Sequence, residues 1–370
     1  MIPRKKILIV GRDSTAATEG SQLYKRIQVY AEYHDFTFVV MNKGEAKETV
    51  VGDTRVVLTG GKTLLTAFFN ALFFSWKEMK KNKYDVVSTQ DVLYAGTVGY
   101  LISRLFKVPL FVQVHGDYLG NPRWFSSKIG NFNRLMNGVG TYILLRAEHI
   151  RVVSSRLRAD LFSKYPVKSE RVISIPIGTD LCLFNSGNNE PREKVLFFAQ
   201  RLIPEKCPML FAEVATAALQ KYPDVSVKIA GNGSMEEEMR NYFAQAGVLE
   251  RVTFCGAVPQ DVLAKLYLTA YVYIHTADWE GWGMPMVEAM AAGCPVVTTD
   301  TGCAGEAIRH EETGLVTAIN DKEALIESVQ RLLIDEQLWK NISQNGIREA
   351  QQWSFETLAR KNMEWYGTKS

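Results

Sequence analysis

The chain has 370 residues, of which 46% are hydrophobic and 22% charged, and its net charge is +3 at pH 7. This composition is typical of a globular protein, and the length is sufficient for two domains. A net charge this small gives no reason to expect nucleic-acid binding, so no nucleic-acid partner is expected.

The five cysteines are scattered along the chain and include no C-x-x-C pair. This pattern favours buried thiols in a reducing compartment over disulfides or a zinc site. The apolar run Ile7–Val10 is too short for the core of a signal peptide and predicts a first strand. The sequence therefore predicts a cytoplasmic protein.

Strand and helix patterns alternate through the first half of the chain, which predicts an α/β domain with a parallel sheet. The segment Pro176–Asp180 and the polar stretch Asn185–Lys194 interrupt this alternation and predict a linker. The predicted strands lie near residues 6–10, 36–40, 54–58, 85–88, 109–114, 150–153 and 171–175. The predicted helices lie near residues 21–32, 63–82, 95–106, 130–147 and 155–163.

The alternation restarts after this linker and predicts a second α/β domain. Strands are expected near residues 195–199, 225–230, 251–255, 271–274 and 295–299, each separated by a helix. Helical patterns at 322–335, 337–350 and 354–367 close the chain. In such folds, ligands bind at the carboxyl ends of the parallel strands.

The segment Leu64–Trp76 is rich in aromatic residues and is followed by lysines. Its apolar part is shorter than the ~20 residues that span a bilayer. Two interpretations stay open: a core helix with a solvated basic end, or a weak peripheral contact with the inner face of an anionic membrane. We expect core packing for most of the aromatic residues. The residues concerned are Phe68, Phe69, Phe73, Phe74, Trp76, Lys77, Lys80, Lys81 and Lys83.

The stretch Glu280–Glu288 places two carboxylates eight residues apart, between a predicted strand and a predicted helix. Pro285 suits the first helical position, since its missing N–H would have no intrahelical partner there. The free N–H groups of a first helical turn attract an anion such as a diphosphate, and Gly281 and Gly283 allow the backbone to approach a ligand closely. A carboxylate early in the helix can accept two hydrogen bonds from a ribose diol.

This pattern therefore predicts a nucleotide-sugar site. The two glutamates alone are equally consistent with a solvated loop charge at Glu280 and an ordinary first-turn residue at Glu288.

Beyond the two glutamates, residues 280–297 resemble the E-x7-E signature segment of the retaining GT-B glycosyltransferases of family 4. The resemblance implies an α/β GT-B fold, with two Rossmann-like parallel-sheet domains facing a central cleft. It implies an acceptor-side domain at 1–178, onto which a C-terminal helix at 353–370 packs back, and a donor-binding domain at 179–352.

The same resemblance implies roles for individual residues. Arg201 and Lys206 match the diphosphate-binding cations of the family, and His115 resembles the active-site histidine that contacts the transferred sugar. The turn with Gly231 and Gly233 fits the G-x-G turn that lines the donor pocket, although it lacks the third glycine of a dinucleotide site. Predicted catalytic residues are His115, Arg201, Lys206 and Glu280; predicted donor-binding residues are Gly231, Gly233, Gly281, Gly283, Met284, Pro285 and Glu288; Asp117 and Glu19 are assigned to the acceptor side.

The family pattern implies transfer of a sugar, with retention, from a nucleoside-diphosphate sugar to an acceptor hydroxyl. No cofactor and no metal are expected, because Arg201, Lys206 and helix N–H groups can balance the diphosphate charge. A sugar-nucleotide epimerase or phosphorylase of the same fold and a non-catalytic nucleotide-sugar-binding protein remain the alternatives. The chain departs from the family pattern at His275-Thr276, where Pro-Ser is usual. The sequence does not predict an oligomeric state.

Overall fold

The computed structural model describes residues 4–116, 130–184 and 192–368, with the backbone alone at 130–133. The chain divides into two units: Met1–Ile177 with Phe355–Ser370, and Gly178–Ser354. The sequence placed the division at residue 178 and the returning helix at 353. Within the second unit, the first and last segments lie side by side, since the N–H of Thr179 donates to the carbonyl oxygen of Trp353 at 3.0 Å.

The first unit is built on an eight-stranded sheet in the order β3-β4-β2-β1-β5-β6-β7-β8. Every neighbouring pair is parallel except β3 with β4. Apolar runs form the central strands, which are almost wholly buried, as parallel strands covered on both faces should be. The strands are β1 (Lys6–Gly11), β2 (Asp35–Val40), β3 (Lys47–Val51), β4 (Thr54–Leu58), β5 (Val86–Thr89), β6 (Leu110–Val114), β7 (His149–Val152) and β8 (Val172–Ser174).

Helices connect these strands, and hydroxyl side chains cap several of them. Ser21, Thr63 and Ser154 each accept a hydrogen bond from a backbone N–H in the first turn, which satisfies a donor that the helix leaves free. The helices are α1 (Gln22–Ala31), α2 (Leu64–Lys81), α3 (Tyr94–Phe106), α4 (Gly130–Leu144) and α5 (Ser155–Lys164).

Helix α2 turns an aromatic face to solvent, so the expectation that most of its aromatic residues pack in the core is wrong. Phe69, Phe73 and Trp76 are 57%, 56% and 40% exposed, whereas Phe68 and Phe74 are half-buried. Small residues, among them Ala67 and Ala71, fill the opposite face against the sheet. None of the helices in the described part of the chain is long and apolar enough to cross a bilayer.

The second unit contains a six-stranded, all-parallel sheet in the order β11-β10-β9-β12-β13-β14. Its core is formed by apolar side chains such as Phe198, Phe211 and Leu332. The strands are β9 (Val195–Ala199), β10 (Ser226–Ala230), β11 (Val252–Gly256), β12 (Val272–His275), β13 (Val296–Thr299) and β14 (Leu315–Thr317). The helices are α6 (Pro208–Lys221), α7 (Glu236–Gln245), α8 (Gln260–Thr269), α9 (Met284–Ala291), α10 (Lys322–Ile334) and α11 (Glu336–Ala350).

A last helix, α12 (Phe355–Gly367), belongs to the first unit. The Trp365 ring centroid lies 5.1 Å from that of Phe111 in β6, and the hydroxyl of Tyr366 lies 2.9 Å from Oγ of Ser88 in β5. Both aromatic rings are buried. The C-terminal helix therefore supplies part of the core of the first unit.

In both sheets the first strand of the unit lies inside the sheet, and later strands are added on either side of it, so the strand order reverses there. β1 lies between β2 and β5, and β9 lies between β10 and β12. At such a switch point the loops after two adjacent strands diverge and leave a crevice at the carboxyl ends, where open α/β sheets bind ligands. The loops after β9 and β12 are therefore the places to look for a site in the second unit.

Candidate functional site

Lys206 and Glu280 meet at the switch point of the second sheet. Lys206 follows β9 and Glu280 follows β12, and the lysine Nζ lies 2.6 Å from Oε2 of the glutamate. The side chains are only 15% and 18% exposed. Burial opposes ionisation of Glu280, but the charge and hydrogen bond of Lys206, together with the N–H of Gly281, outweigh it and hold the pKa of the carboxyl below its ordinary value. The site therefore contains a buried, ionised ion pair.

Thr276 fixes the two loops relative to each other. Its hydroxyl lies 3.0 Å from the carbonyl oxygens of both Lys206 and Cys207, and both contacts are buried in part. This hydroxyl can donate to one carbonyl at a time, and each contact joins the loop after β12 to the start of α6. The position of Lys206 beside Glu280 is thus set by the backbone as well as by charge.

Glu288 lies in the middle of α9 and is buried. Its Oε1 accepts a hydrogen bond from the Gln260 amide at 3.2 Å. Burial raises the pKa of Glu288 to about 7, while the Gln260 amide and the Tyr267 hydroxyl lower it. This carboxyl therefore titrates near neutral pH, where its charge depends on what binds beside it.

The start of α9 is shaped as its sequence predicts. Gly283 precedes the helix at φ 90°, a conformation that favours glycine, and Pro285 lies in the first turn. Met284 and Pro285 are half-buried. The N–H of Gly281 donates to Oε1 of Glu280 at 3.2 Å, so this glycine orients the carboxylate.

Gly231 and Gly233 allow the turn after β10 to pack closely against the loop that contains Arg201. A Cβ atom at Gly231 would lie 2.0 Å from the carbonyl oxygen of Gln200, and one at Gly233 would lie 2.1 Å from that of Leu202. Arg201 itself is exposed. These glycines are therefore needed for backbone packing at the switch point, a role that the resemblance to a donor-pocket turn did not reveal.

His275 is a site residue that the sequence interpretation noted only as a departure from the family pattern. It ends β12, is fully buried, and its Nε2 lies 3.8 Å from Oε2 of Glu280. Its Nδ1 lies 3.0 Å from the Gln200 amide nitrogen. Burial lowers the pKa of His275 to about 4 and Lys206 lowers it further, against the opposing effect of Glu280. The imidazole is therefore neutral at pH 7.

In the first unit, His115 follows β6 and belongs to a buried polar network. Its Nε2 lies 3.1 Å from Oε1 of Gln113, which also accepts from Nη1 of Arg151 at 2.7 Å. Desolvation, then the charges of Arg151 and Arg26, lower the pKa of His115 to about 3. Since a guanidinium can only donate, the amide oxygen must face Arg151, and Nε2 of His115 must carry the proton. Nδ1 is left as an acceptor.

Of the two residues assigned to the acceptor side, Glu19 is exposed in the turn before α1, and Asp117 lies outside the described residues. Asp91, which the sequence interpretation missed, is buried after β5 and accepts hydrogen bonds from the N–H groups of Leu93 and Ala95. It follows an apolar strand as His115 does, a signal that could have singled it out. Within the second unit, the structure brings Lys206 and Glu280 together.

Comparison with known families decides where the chain belongs. Residues 29–182 match the model of "Glycosyltransferase Family 4", and residues 183–349 match that of "Glycosyl transferases group 1". The chain belongs to the family 4 glycosyltransferases. The predicted family is confirmed, and the two matches meet between residues 182 and 183, at the start of the second unit.

Relatives of this glycosyltransferase cover most of its length. An uncharacterised glycosyltransferase of Methanocaldococcus jannaschii is 25% identical over 320 residues, which is 81% of each chain. The structure is similar to sucrose-phosphate synthase of Thermosynechococcus elongatus, with a TM-score of 0.82 at 22% identity over 98% of each chain. It also resembles HepE of Anabaena, solved with UDP and glucose, with a TM-score of 0.79 at 18% identity over 99% of this chain and 100% of that one. These likenesses confirm the predicted GT-B fold.

Proposed function

We propose that this glycosyltransferase moves a sugar from a nucleoside-diphosphate sugar to an acceptor hydroxyl with retention of configuration at the anomeric carbon. The observation that carries the proposal is the buried Lys206–Glu280 pair at the switch point. Glu280 lies in the loop that leads into α9, the helix that contains Glu288. Crevices of this kind bind nucleotides in open α/β sheets. Retention rests on the resemblance of residues 280–297 to the E-x7-E segment.

Each part of the donor would be bound by side chains of suitable charge. Arg201 and Lys206 would hold the diphosphate, where negative charge grows as the sugar leaves. Glu288 would accept the hydrogen bonds of the ribose diol, and Glu280, being ionised, would accept those of the sugar hydroxyls. Catalysis would then depend on positioning and on charge stabilisation.

His115 supports the proposal through its protonation state. A neutral imidazole with a free Nδ1 can accept a hydrogen bond from a sugar hydroxyl, which an imidazolium cannot. The low pKa keeps His115 in this form throughout the neutral range. With no protein nucleophile in the proposal, the leaving diphosphate takes part in removing the acceptor proton, and neither a metal nor a cofactor enters it.

Product stereochemistry tests this function. The protein is offered UDP-, GDP- and ADP-sugars with and without a panel of hydroxyl acceptors, and the products are followed by proton NMR. We expect a product whose anomeric configuration matches the donor, and losses of at least tenfold in Arg201→Met and Lys206→Met, the scale of a lost charged hydrogen bond. UDP-glucose comes first, since HepE was solved with UDP and glucose.

The same assay separates the alternatives. An epimerase would convert the sugar nucleotide without an acceptor, a phosphorylase would require inorganic phosphate, and a non-catalytic binding protein would bind a donor without consuming it. An inverted product would contradict retention.

We also propose that the first unit contacts an anionic membrane through the exposed face of α2. Leu65, Phe69, Phe73 and Trp76 recur on that face at helical spacing and are all at least 40% exposed. Exposed lysines follow at the C-terminal end of the same helix, at positions 77, 80 and 81, and just beyond it at position 83. Apolar rings beside lysines suit the headgroup region of an anionic leaflet. The cytoplasmic location stays a prediction.

A further inference from the structure

His275 lies beside the Lys206–Glu280 pair without a hydrogen bond at Nε2. The atom is buried, and its distance of 3.8 Å from Oε2 of Glu280 is too long for one. Its other ring nitrogen faces the Gln200 amide nitrogen at 3.0 Å, so Nδ1 accepts and Nε2 carries the proton. A buried N–H donor therefore points toward an ionised carboxylate that another group already holds.

That other group is Lys206, and under the proposed function it has a second task. Its Nζ lies 2.6 Å from the same Oε2 atom, at the end of a flexible four-carbon side chain. A bound diphosphate attracts the ammonium group away from the carboxylate. Glu280 would then be left as a buried charge without its cation, which is strongly unfavourable unless another donor replaces it.

We propose that His275 is a positioning residue that replaces Lys206 as the partner of Glu280 when a nucleoside diphosphate binds, and that it takes up one proton from solvent as it does so. The proposal rests on the proposed function, because it requires Lys206 to bind the diphosphate. The distance from Nε2 to Oε2 has to shorten by less than 1 Å to reach an ordinary hydrogen bond of about 2.9 Å.

The charges around His275 give the direction of the proton transfer. The charged groups that face the ring within the described chain are Glu280 and Lys206, and the neutral groups are Gln200 and Tyr273, whose hydroxyl lies 3.4 Å from Nδ1. In the donor-free protein Lys206 opposes protonation of the ring. When the ammonium moves to the diphosphate, the carboxylate favours the imidazolium. The proton comes from the buffer and binds Nδ1, and the Gln200 amide turns so that its Oε1, which has no hydrogen bond among the described residues of the donor-free protein, accepts the new N–H.

Calorimetry with UDP as the probe measures this proton directly. Binding is measured in buffers of different ionisation enthalpy at several values between about pH 5.5 and pH 7.5, around the ordinary pKa of histidine. Protons released by the nucleotide or by Glu288 are common to the wild type and His275→Gln. We expect the wild type to take up more protons than His275→Gln by a fraction of one proton that is largest at the acid end.

A second measurement does not depend on nucleotide binding. In Lys206→Met the carboxylate lacks its lysine in the free protein, so the proposal expects the 15N signals of His275 to titrate at a higher pH than in the wild type. Glu280→Gln in the same background is the control and should abolish the shift. The His275 signals are those that remain when the other four histidines are each replaced by glutamine in turn, so their identification does not require His275→Gln to fold.

The outcomes separate the two proposals. Equal proton uptake in wild type and His275→Gln, with UDP bound by both, overturns the partner exchange and leaves the proposed function intact. Failure of the wild type to bind any nucleoside diphosphate overturns the proposed function. An unchanged His275 titration in folded Lys206→Met overturns the exchange even if His275→Gln does not fold.

Discussion

His115 and Gln113 are joined by a hydrogen bond of 3.1 Å between Nε2 and Oε1, and this bond determines which nitrogen of the imidazole faces a ligand. Arg151 donates to the same amide oxygen, while the Gln113 amide group donates to the Tyr366 hydroxyl at 3.0 Å. The orientation of the amide is therefore fixed from two sides, and Nδ1 is the acceptor that His115 presents.

Gln113→Glu should raise the pKa of His115 from about 3 toward its ordinary value, because a carboxylate stabilises the imidazolium. We expect the acid limb of the activity profile to move to higher pH. A 15N titration of His115 measures the change, and Gln344→Glu, at an exposed position of α11, is the matched control. If His115 titrates as in the wild type, the proposed control by Gln113 is wrong.

Glu288→Gln should stabilise the donor-free protein and weaken nucleotide binding. The folded pKa of about 7 lies above the ordinary 4.5, so the folded state binds the proton more tightly than the unfolded chain. Stability therefore falls as the pH rises from about 4.5 to about 7 and stays lower above that range. Glutamine does not ionise, so the variant does not lose stability in this way. Its free energy of unfolding should exceed that of the wild type by up to about 3 kcal/mol near pH 8 and by nothing near pH 4.

The affinity of Glu288→Gln for UDP should fall by about 1.5–3 kcal/mol, the value of hydrogen bonds to a charged group. Thermal unfolding at both pH values and calorimetry provide the two measurements. Glu327→Gln, on the exposed face of α10, is the control and should change neither. Unchanged UDP affinity would contradict the role of Glu288 at the ribose.

The double variant Phe69→Ser with Phe73→Ser should remove binding to vesicles that contain phosphatidylglycerol and leave the fold intact, because both rings are more than half exposed. Each lysine near the anionic surface contributes on the order of 1 kcal/mol, so the wild type should bind at low salt and detach at high salt. Co-sedimentation measures both. Ile334→Ser, at a residue 70% exposed in the second unit, is the control. Absence of wild-type binding at low salt would reject the membrane contact.

Gly231→Ala should destabilise the second unit by about 2 kcal/mol or more, through combined strain and collision. Its φ is +130°, and the new methyl group would lie 2.0 Å from the carbonyl oxygen of Gln200. Gly247→Ala separates the two effects, since its φ is +70° and no atom lies within 4 Å of the new methyl group. Urea unfolding, monitored by tryptophan fluorescence, measures the free energy of unfolding of both variants. Equal losses in Gly231→Ala and Gly247→Ala would mean that the backbone moves to relieve the collision at residue 231.

Local patterns were sufficient for most of the fold and for the start of α9. The strand at 195–199 and the Gly283-Met284-Pro285 turn have the predicted positions, because burial and glycine chemistry act over a few residues. β3 was missed because four of its five residues are at least partly exposed on an edge strand, although the Gly52-Asp53 turn indicates a hairpin. β14, of three residues, was missed as well, whereas β8, equally short, lies inside the strand predicted at 171–175.

The contacts around the candidate site could not be predicted in the same way. The His275–Glu280 approach depends on how a loop folds back, and spacing along the chain does not specify that path. The Gln113–Tyr366 bond joins positions 253 residues apart. Gln113 and Arg151 nevertheless interrupt apolar strands, and a polar residue in a buried strand indicates a partner even when it does not identify one.

The return of α12 to the first unit reverses the order in which the two units can be completed during protein synthesis. Residues Gly178–Ser354 leave the ribosome as one continuous unit and can fold as soon as they are made. The first unit emerges earlier but lacks Trp365 and Tyr366, whose rings close its core against Phe111. In this chain the unit made first is therefore finished after the second, and the hydrogen bond that holds Gln113 beside His115 forms only once α12 has been made.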